Sequence, residues 1–264
     1  MSGFDENLGR KLQQQYMSPS VVARRRAALD LLGLHSGQVG LDIGTGPGFL
    51  ACGLAERVGS AGQVMGIDTS VAMLDFACHR AKQMGVAKWT EFREADATAL
   101  PIPDASFDGA VAIQVFEFVP DIEQAVLEAH RVLRPGGRLI VIDSDWATLV
   151  WNTEDDALMT RMRQALLHAG HFAHPTLPRR FSHLLQRAGF DEIVVTPSLI
   201  FETKFDADAY SYYLLEIATN LACGHLDFTS LDADAFIVDV KNQVADGEYW
   251  FSLNQYMFMA NKRA

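Results

Sequence analysis

Apolar positions along the first 145 residues switch repeatedly between two periods. In VVARRRAALDLLGL (21–34) they recur every three to four residues, as on a helix with one buried face, and Ser18 and Pro19 stand where such a helix starts. QVGLDIG (38–44) is a short apolar run that ends on glycine, the pattern of a buried strand. The helical period returns in FLACGLAERVG (49–59), yields to the strand QVMGID (63–68), and returns in SVAMLDFACHRAKQMG (70–85), with Ser70 as N-cap and Gly85 beyond the last turn. WTEFREAD (89–96) and FDGAVAIQ (107–114) are the third and fourth strands. The helix DIEQAVLEAHRVL (121–133), a PGG turn (135–137) and the fifth strand RLIVID (138–143) follow.

Strands that alternate with helices of this length imply right-handed βαβ units and a parallel sheet. Their residues are apolar on both faces, so helices should cover the sheet on each side. Ligands of such a sheet bind beyond the carboxyl ends of the strands, and every loop after a strand faces that crevice. The last third changes character. Residues 154–190 carry two helical patterns around the break HFAHPTLPRR, DEIVVTPSLIFET (191–203) is a strand, and EYWFSLNQYMFMANK (248–262) is a closing strand. Between these strands, residues 205–246 hold two further helices. An insertion of about forty residues is more than a connection needs, and points to a lid or an interaction surface.

The first strand runs into LDIGTGPG (41–48), where Gly44, Gly46 and Gly48 alternate with other residues. Glycines at a strand-to-helix turn accept positive φ and let a ligand approach the backbone. The dinucleotide fingerprint G-x-G-x-x-G would need a third glycine where this chain has Phe49. The second strand ends in Asp68, whose carboxylate can accept two hydrogen bonds from the vicinal hydroxyls of a ribose, or cap the helix near Ser70. Asp96, at the tip of the third strand, can accept from the exocyclic amino group of a base.

Together, LDIGTGPG, GIDTS, EADATALPIPDASFD and LRPGGRLIVID resemble the motifs of the class I S-adenosylmethionine-dependent methyltransferases. The branch is similar to the ubiquinone/menaquinone-biosynthesis C-methyltransferases and their small-molecule relatives, over roughly residues 20–145. The resemblance implies an α/β, Rossmann-like seven-stranded sheet with its last strand antiparallel, helices on both faces, and a helical insertion before the last strand. It implies S-adenosylmethionine as cofactor and S-adenosylhomocysteine as product. Gly44, Thr45, Gly46 and Gly48 would lie against the methionine part and ribose, and Asp42 would help hold the amino group. Asp68 would bind the ribose hydroxyls, with Thr69 and Met73 near the adenine and Asp96 and Ala97 at its edge. Gln114 would line the floor of the transfer site. Tyr16 and Arg25, in the N-terminal helical cover (1–36), are candidates for covering the sulfonium and pairing with the carboxylate. The cofactor-binding core would be 37–146 and the substrate-side half 147–264, in a single methyltransferase domain spanning 1–264.

Composition narrows the acceptor. The net charge of −11 opposes a nucleic-acid or anionic-membrane partner, and the short basic runs Arg24-Arg25-Arg26 and Arg179-Arg180 suit solvated helix faces. Three scattered cysteines fit a reducing cytoplasm, and no apolar run is long enough for a signal peptide or a membrane span. The acceptor is expected to be a small metabolite.

Displacement at a sulfonium has a good leaving group, so positioning and exclusion of water can supply much of the rate. Where the acceptor must lose a proton, Glu117 and Asp145 are the candidate bases. Phe116, Trp146 and Tyr213 are candidate substrate contacts. The trio His168, His171 and His174 has metal-like spacing but sits at a helix end, where such side chains satisfy free carbonyls, and no metal is expected. Two other readings are open: a non-catalytic cofactor-binding scaffold that uses 205–246 as an interface, including a homodimer contact, and an NAD-dependent oxidoreductase, which Phe49 disfavours.

Asp68→Ala is expected to weaken S-adenosylhomocysteine binding by about 1.5–3 kcal/mol, the loss of a charge-assisted partner. Calorimetry on the folded variant measures it, and an unchanged dissociation constant refutes the ribose role.

Overall fold

The computed structural model describes residues 16–263. Helix α1 (Pro19–Leu32) begins on its proline, whose missing amide is no loss in a first turn. Strand β1 (Val39–Ile43) leads into α2 (Phe49–Val58), β2 (Gln63–Asp68) into α3 (Val71–Gln83), and β3 (Thr90–Glu94) through a long loop into β4 (Phe107–Ile113). Helix α4 (Ile122–Val132) is capped by Asp121, which accepts from the Gln124 amide, and precedes β5 (Leu133–Ser144). Then come the two-residue β6 (Val150–Trp151), α5 (Asp156–His168), α6 (Pro178–Arg187), β7 (Phe190–Glu202), α7 (Tyr210–Ala222), α8 (Ser230–Ala245) and β8 (Phe251–Lys262).

The strands form one eight-stranded sheet in the order β3-β2-β1-β4-β5-β8-β6, with β7 also paired to β8. The ladders from β3 through β5 are parallel, and β6 runs antiparallel to β8, with Trp151 opposite Phe251. The expected seven strands are therefore joined by β6, which is too short to show a period in the sequence. The fifth strand also starts earlier than expected. Its pairing with β4 jumps from Phe107↔Leu133 to Gly109↔Arg138, so 135–137 bulges out of a continuous strand rather than preceding it.

The chain divides into two compact units that interleave in sequence. One contains 25–143, 177–196 and 256–263; the other contains 16–24, 144–176 and 197–255. The boundary expected near residue 146 is crossed twice, because α6 and the end of β8 belong with the sheet unit.

In the sheet unit the two faces bury alternate residues of each strand. Leu139 and Val141 join Phe107, Ala110 and Ala112 under α4 and α6, whereas Ile140 and Ile142 join Val111 under α1 to α3. Several motif residues act here as fasteners. Asp108 accepts from the Val39 amide at 2.7 Å and from Arg134 at 2.6 Å, tying the start of β1 to β4 and β5. Arg131 donates to the carbonyls of Leu100 and Ile102 and to Glu128 and Asp104, pinning the loop after β3. Gly48 is another fastener. A Cβ there would stand 2.7 Å from the Ala77 Cβ and 2.8 Å from its Cα, so α2 starts directly on α3.

The other unit is helical and aromatic. Trp151, Phe228, Phe236 and Phe251 are fully buried among α5, α7 and α8. Glu202 caps α7 by accepting from the amides of Tyr210 and Ser211 at 2.7 and 2.9 Å, placing its negative charge at the positive end of the helix. Arg24 corrects the expectation of a solvated basic face. It is 7 % exposed and donates to Gln255, whose amide donates to Ser144 at 2.9 Å. Arg26 is exposed, as are Arg179 and Arg180.

Gly48→Ala is expected to cost at least about 2 kcal/mol, from the contact with Ala77 and from φ +78. Urea unfolding at unchanged m-value measures it.

Candidate functional site

The strongest cluster of candidate residues lies at the carboxyl ends of β1 and β2 in the sheet unit. Beyond β1 the chain alternates left-handed glycines, with φ of 67° at Gly44, 51° at Gly46 and 78° at Gly48. Side chains at these positions would be strained. Between them, the Thr45 amide donates to the Ile67 carbonyl at 2.7 Å, crossing to β2. The Gly46 amide donates to Asp68 Oδ2 at 2.8 Å, and the Ser70 amide to Asp68 Oδ1 at 2.9 Å. One carboxylate thus closes the glycine loop and the start of α3 together. Each of its oxygens keeps a lone pair for a hydroxyl donor. Ser70 is the N-cap expected, accepting from the Met73 amide at 3.4 Å.

Asp42 is buried beneath the loop and accepts from Thr45 Oγ1 at 2.7 Å. Burial pushes its carboxyl up to about 7; the Thr45 and Ala51 hydrogen bonds oppose that shift, Asp68 adds to it, and Arg25 opposes it weakly. Asp96 behaves oppositely. It is exposed and accepts from the Thr98 amide at 2.8 Å and the Thr98 hydroxyl at 2.7 Å, both on Oδ1, which hold it below the usual carboxylate range. Ala97 beside it is buried, Thr69 is exposed, and Met73 is half-buried in the first turn of α3.

Phe49, the residue that breaks the dinucleotide pattern, has two guanidinium groups against its ring. Arg80 lies 3.2 Å and Arg25 4.8 Å from its ring centroid. Arg80 also donates to the Pro47 carbonyl at 2.9 Å, so it grips the glycine loop from α3. Neither role was visible in the sequence, where Arg80 is one cation on an amphipathic helix. Arg25, the candidate partner of the cofactor's carboxylate, lies over the same ring.

The turn after β4 begins with Gln114, a non-glycine residue at φ +53, whose amide donates to the Ile142 carbonyl at 2.7 Å. The Val115 amide donates to Asp143 Oδ1 at 3.1 Å. Phe116 and Glu117 follow in a short helical turn, both fully buried. The Phe116 ring packs on Phe181 at 5.8 Å, a core position rather than the open substrate contact expected.

The remaining candidates belong to the helical unit. Asp145 is buried; its amide donates to the Asn254 carbonyl at 2.9 Å and its own carbonyl accepts from the Thr148 hydroxyl at 2.7 Å. Trp146 stacks on Phe172 at 4.4 Å, Tyr213 meets Tyr212 edge-on at 5.2 Å, and Tyr16 is half-buried. His168 Nδ1 lies 2.8 Å from the Gln164 carbonyl, the helix-end arrangement anticipated for it. Among the described residues no three His, Cys, Asp or Glu side chains are grouped to hold a metal ion.

Comparison with known proteins matches residues 41–141 to the methyltransferase domain family. Over 119 residues the chain is 42 % identical to the demethylmenaquinone methyltransferase of Thermus thermophilus, covering 45 % of this chain and 53 % of that protein. It is 40 % identical to the 2-phytyl-1,4-naphtoquinone methyltransferase of Synechococcus elongatus over 119 residues, covering 45 % of this chain and 51 % of the relative. The chain thus spans about half the length of these curated relatives. Among solved structures, phosphoethanolamine N-methyltransferase 2 of Haemonchus contortus, in complex with S-adenosyl-L-methionine, superimposes with a TM-score of 0.59 at 20 % identity, covering 92 % of this chain and 53 % of that one. The [4+2]-cyclase SpnF superimposes with a TM-score of 0.60 at 23 % identity, covering 92 % and 81 %. At such identities these structures speak for the fold of the chain alone.

The buried carboxyl of the domain has a consequence for pH. Folded Asp42 keeps its proton to about pH 7, whereas the unfolded side chain loses it near 3.8. Between these values the folded protein binds the extra proton, so its stability falls as pH rises through about 7. Urea unfolding at pH 5 and pH 8 is expected to show a loss for the native chain about 2–4 kcal/mol larger than for Asp42→Asn. Equal losses refute the buried protonated state.

Proposed function

We propose that the chain transfers a methyl group from S-adenosylmethionine to a small organic acceptor. The observation that carries this is the set of three carboxylates, Asp42, Asp68 and Asp96, stepped along consecutive strand ends around a loop of left-handed glycines. The donor set fits the cofactor. The free lone pairs of Asp68 suit vicinal hydroxyls, the second oxygen of Asp96 suits an exocyclic amine, and Asp42 suits an ammonium group. When bound, S-adenosylmethionine supplies an electrophilic methyl group and its own leaving group.

What remains for the protein is to orient the acceptor and keep water out. The turn from Gln114 to Phe118 supplies the orienting surface in the sheet unit. Glu117, on that turn, is the base where the acceptor is protic, with Asp145 the second candidate. The aromatic helical unit, which lies outside the matched residues 41–141, is the place for acceptor recognition, and Trp146 and Tyr213 are its candidates. An apolar, ring-bearing acceptor is favoured by that aromatic composition and by the quinone names of two relatives. Among the described residues no helix is long and apolar enough to cross a membrane. The same reading places the protein in the cytoplasm without a nucleic-acid partner, given its charge of −11, and gives 205–246 to an acceptor lid or a homodimer contact.

Titration calorimetry with S-adenosylmethionine, S-adenosylhomocysteine and NAD tests the reading. The first two are expected to bind and NAD is not; binding of NAD alone overturns the proposal in favour of an oxidoreductase. Transfer of labelled methyl to naphthoquinol or another small aromatic acceptor is expected. Cofactor binding with no turnover on any acceptor of a broad panel supports the scaffold reading instead.

A further inference from the structure

The turn after β4 is seated directly on the glycine loop. A Cβ at Gly44 would lie 2.4 and 2.8 Å from the two methyl groups of Val115 and 3.2 Å from its Cβ. The first two distances are shorter than carbon atoms tolerate, so Val115 would have to move. Gly44 is therefore required twice over, by its φ of +67 and by Val115, whatever ligand approaches its other side. Val115 in turn is held from two directions. Its amide donates to Asp143 Oδ1, from a carboxylate at the end of β5 that is 1 % exposed. Its neighbour Gln114 is fixed at φ +53 with its amide on the Ile142 carbonyl. A left-handed glutamine is a strained residue, and it persists only where its surroundings over-determine it. Here the parallel pairing of Ile113 with Ile142 and the Asp143 carboxylate do so, and the result is to aim Val115 back at β1.

We propose that Asp143 and Val115 are positioning residues that lock the acceptor-side turn onto the cofactor loop. The inference rests on the cofactor reading above. Through the lock, the ends of β1, β4 and β5 form one rigid floor. The loop that would carry the cofactor and the turn that carries Gln114 and Glu117 then keep a constant separation, which an in-line displacement needs.

The test uses the full chain, with S-adenosylhomocysteine calorimetry and thermal unfolding as paired readouts. Gly44→Ala is expected to lower affinity at least tenfold and to lower Tm. Adding Val115→Gly removes the atoms that the new methyl meets, and is expected to restore both in part. No recovery in either readout means that the contact with Val115 does not limit this position, and overturns the proposal. Asp143→Ala and Val115→Ala are each expected to weaken binding several-fold, and the double variant no further, because both break one lock. Asp143→Asn, which keeps the Oδ1 acceptor, is expected to bind nearly as the native chain does. Additive losses, or an Asp143→Asn as weak as Asp143→Ala, overturn the lock even where Gly44→Ala does not fold. If the native chain fails to bind S-adenosylhomocysteine, the cofactor reading fails on that result. The lock is then judged on Tm alone, where absence of rescue by Val115→Gly overturns it.

Discussion

The site depends on backbone approaching side chains where no Cβ fits. At Gly44 a methyl of Val115 stands 2.4 Å from where a side chain would begin, and at Gly48 Ala77 stands 2.7 Å away. Both glycines are left-handed, so sterics and backbone conformation demand the same residue twice over. The loop is thus pressed between the turn after β4 and the helix after β2. Its shape is set by protein contacts before any ligand arrives.

Electrostatics then completes what packing begins. Asp68 spends one lone pair of each oxygen on the amides of Gly46 and Ser70, which fixes its carboxylate in space and leaves it facing outward as an acceptor. In the proposed reading, a residue with this double duty serves both the scaffold and the cofactor. Asp42, buried behind it, is pushed near neutrality by desolvation, while exposed Asp96 is held ionised by Thr98. Carboxyl groups of one chemical type are therefore shifted in opposite directions, one by loss of water and the other by hydrogen bonds to its ionised form. Arg80 and Arg25 both pack on Phe49, so the residue that departs from the dinucleotide fingerprint is held at the first turn of α2.

Function follows from the division of the chain. The matched residues 41–141 hold the glycine loop together with Asp42, Asp68 and Asp96, the carboxylates on which the proposed cofactor reading rests. The helical unit has its own aromatic core and its own capped helices, and lies beyond that match. A common cofactor end and a divergent acceptor end is what a family of enzymes needs when the donor is constant and the acceptors differ.

Periodicity alone determined the alternation of strands and helices, because burial of one helix face or both strand faces repeats over many residues. The spacing of Gly44, Gly46 and Gly48 and the strand-end positions of Asp68 and Asp96 were legible for the same reason: they are local to one turn each. The two-residue β6, the bulge at 135–137, the burial of Arg24 and the core placement of Phe116 were not, since each depends on partners far along the chain. Asp108 and Arg134 stood out as motif residues, yet only the folded chain shows Asp108 fastened to the Val39 amide and held there by Arg134. The same holds for Gly44. Its sequence says that a side chain is unwelcome. That the obstacle is Val115, held by Asp143 from the next strand, is decided by the parallel register that brings the ends of β1, β4 and β5 together.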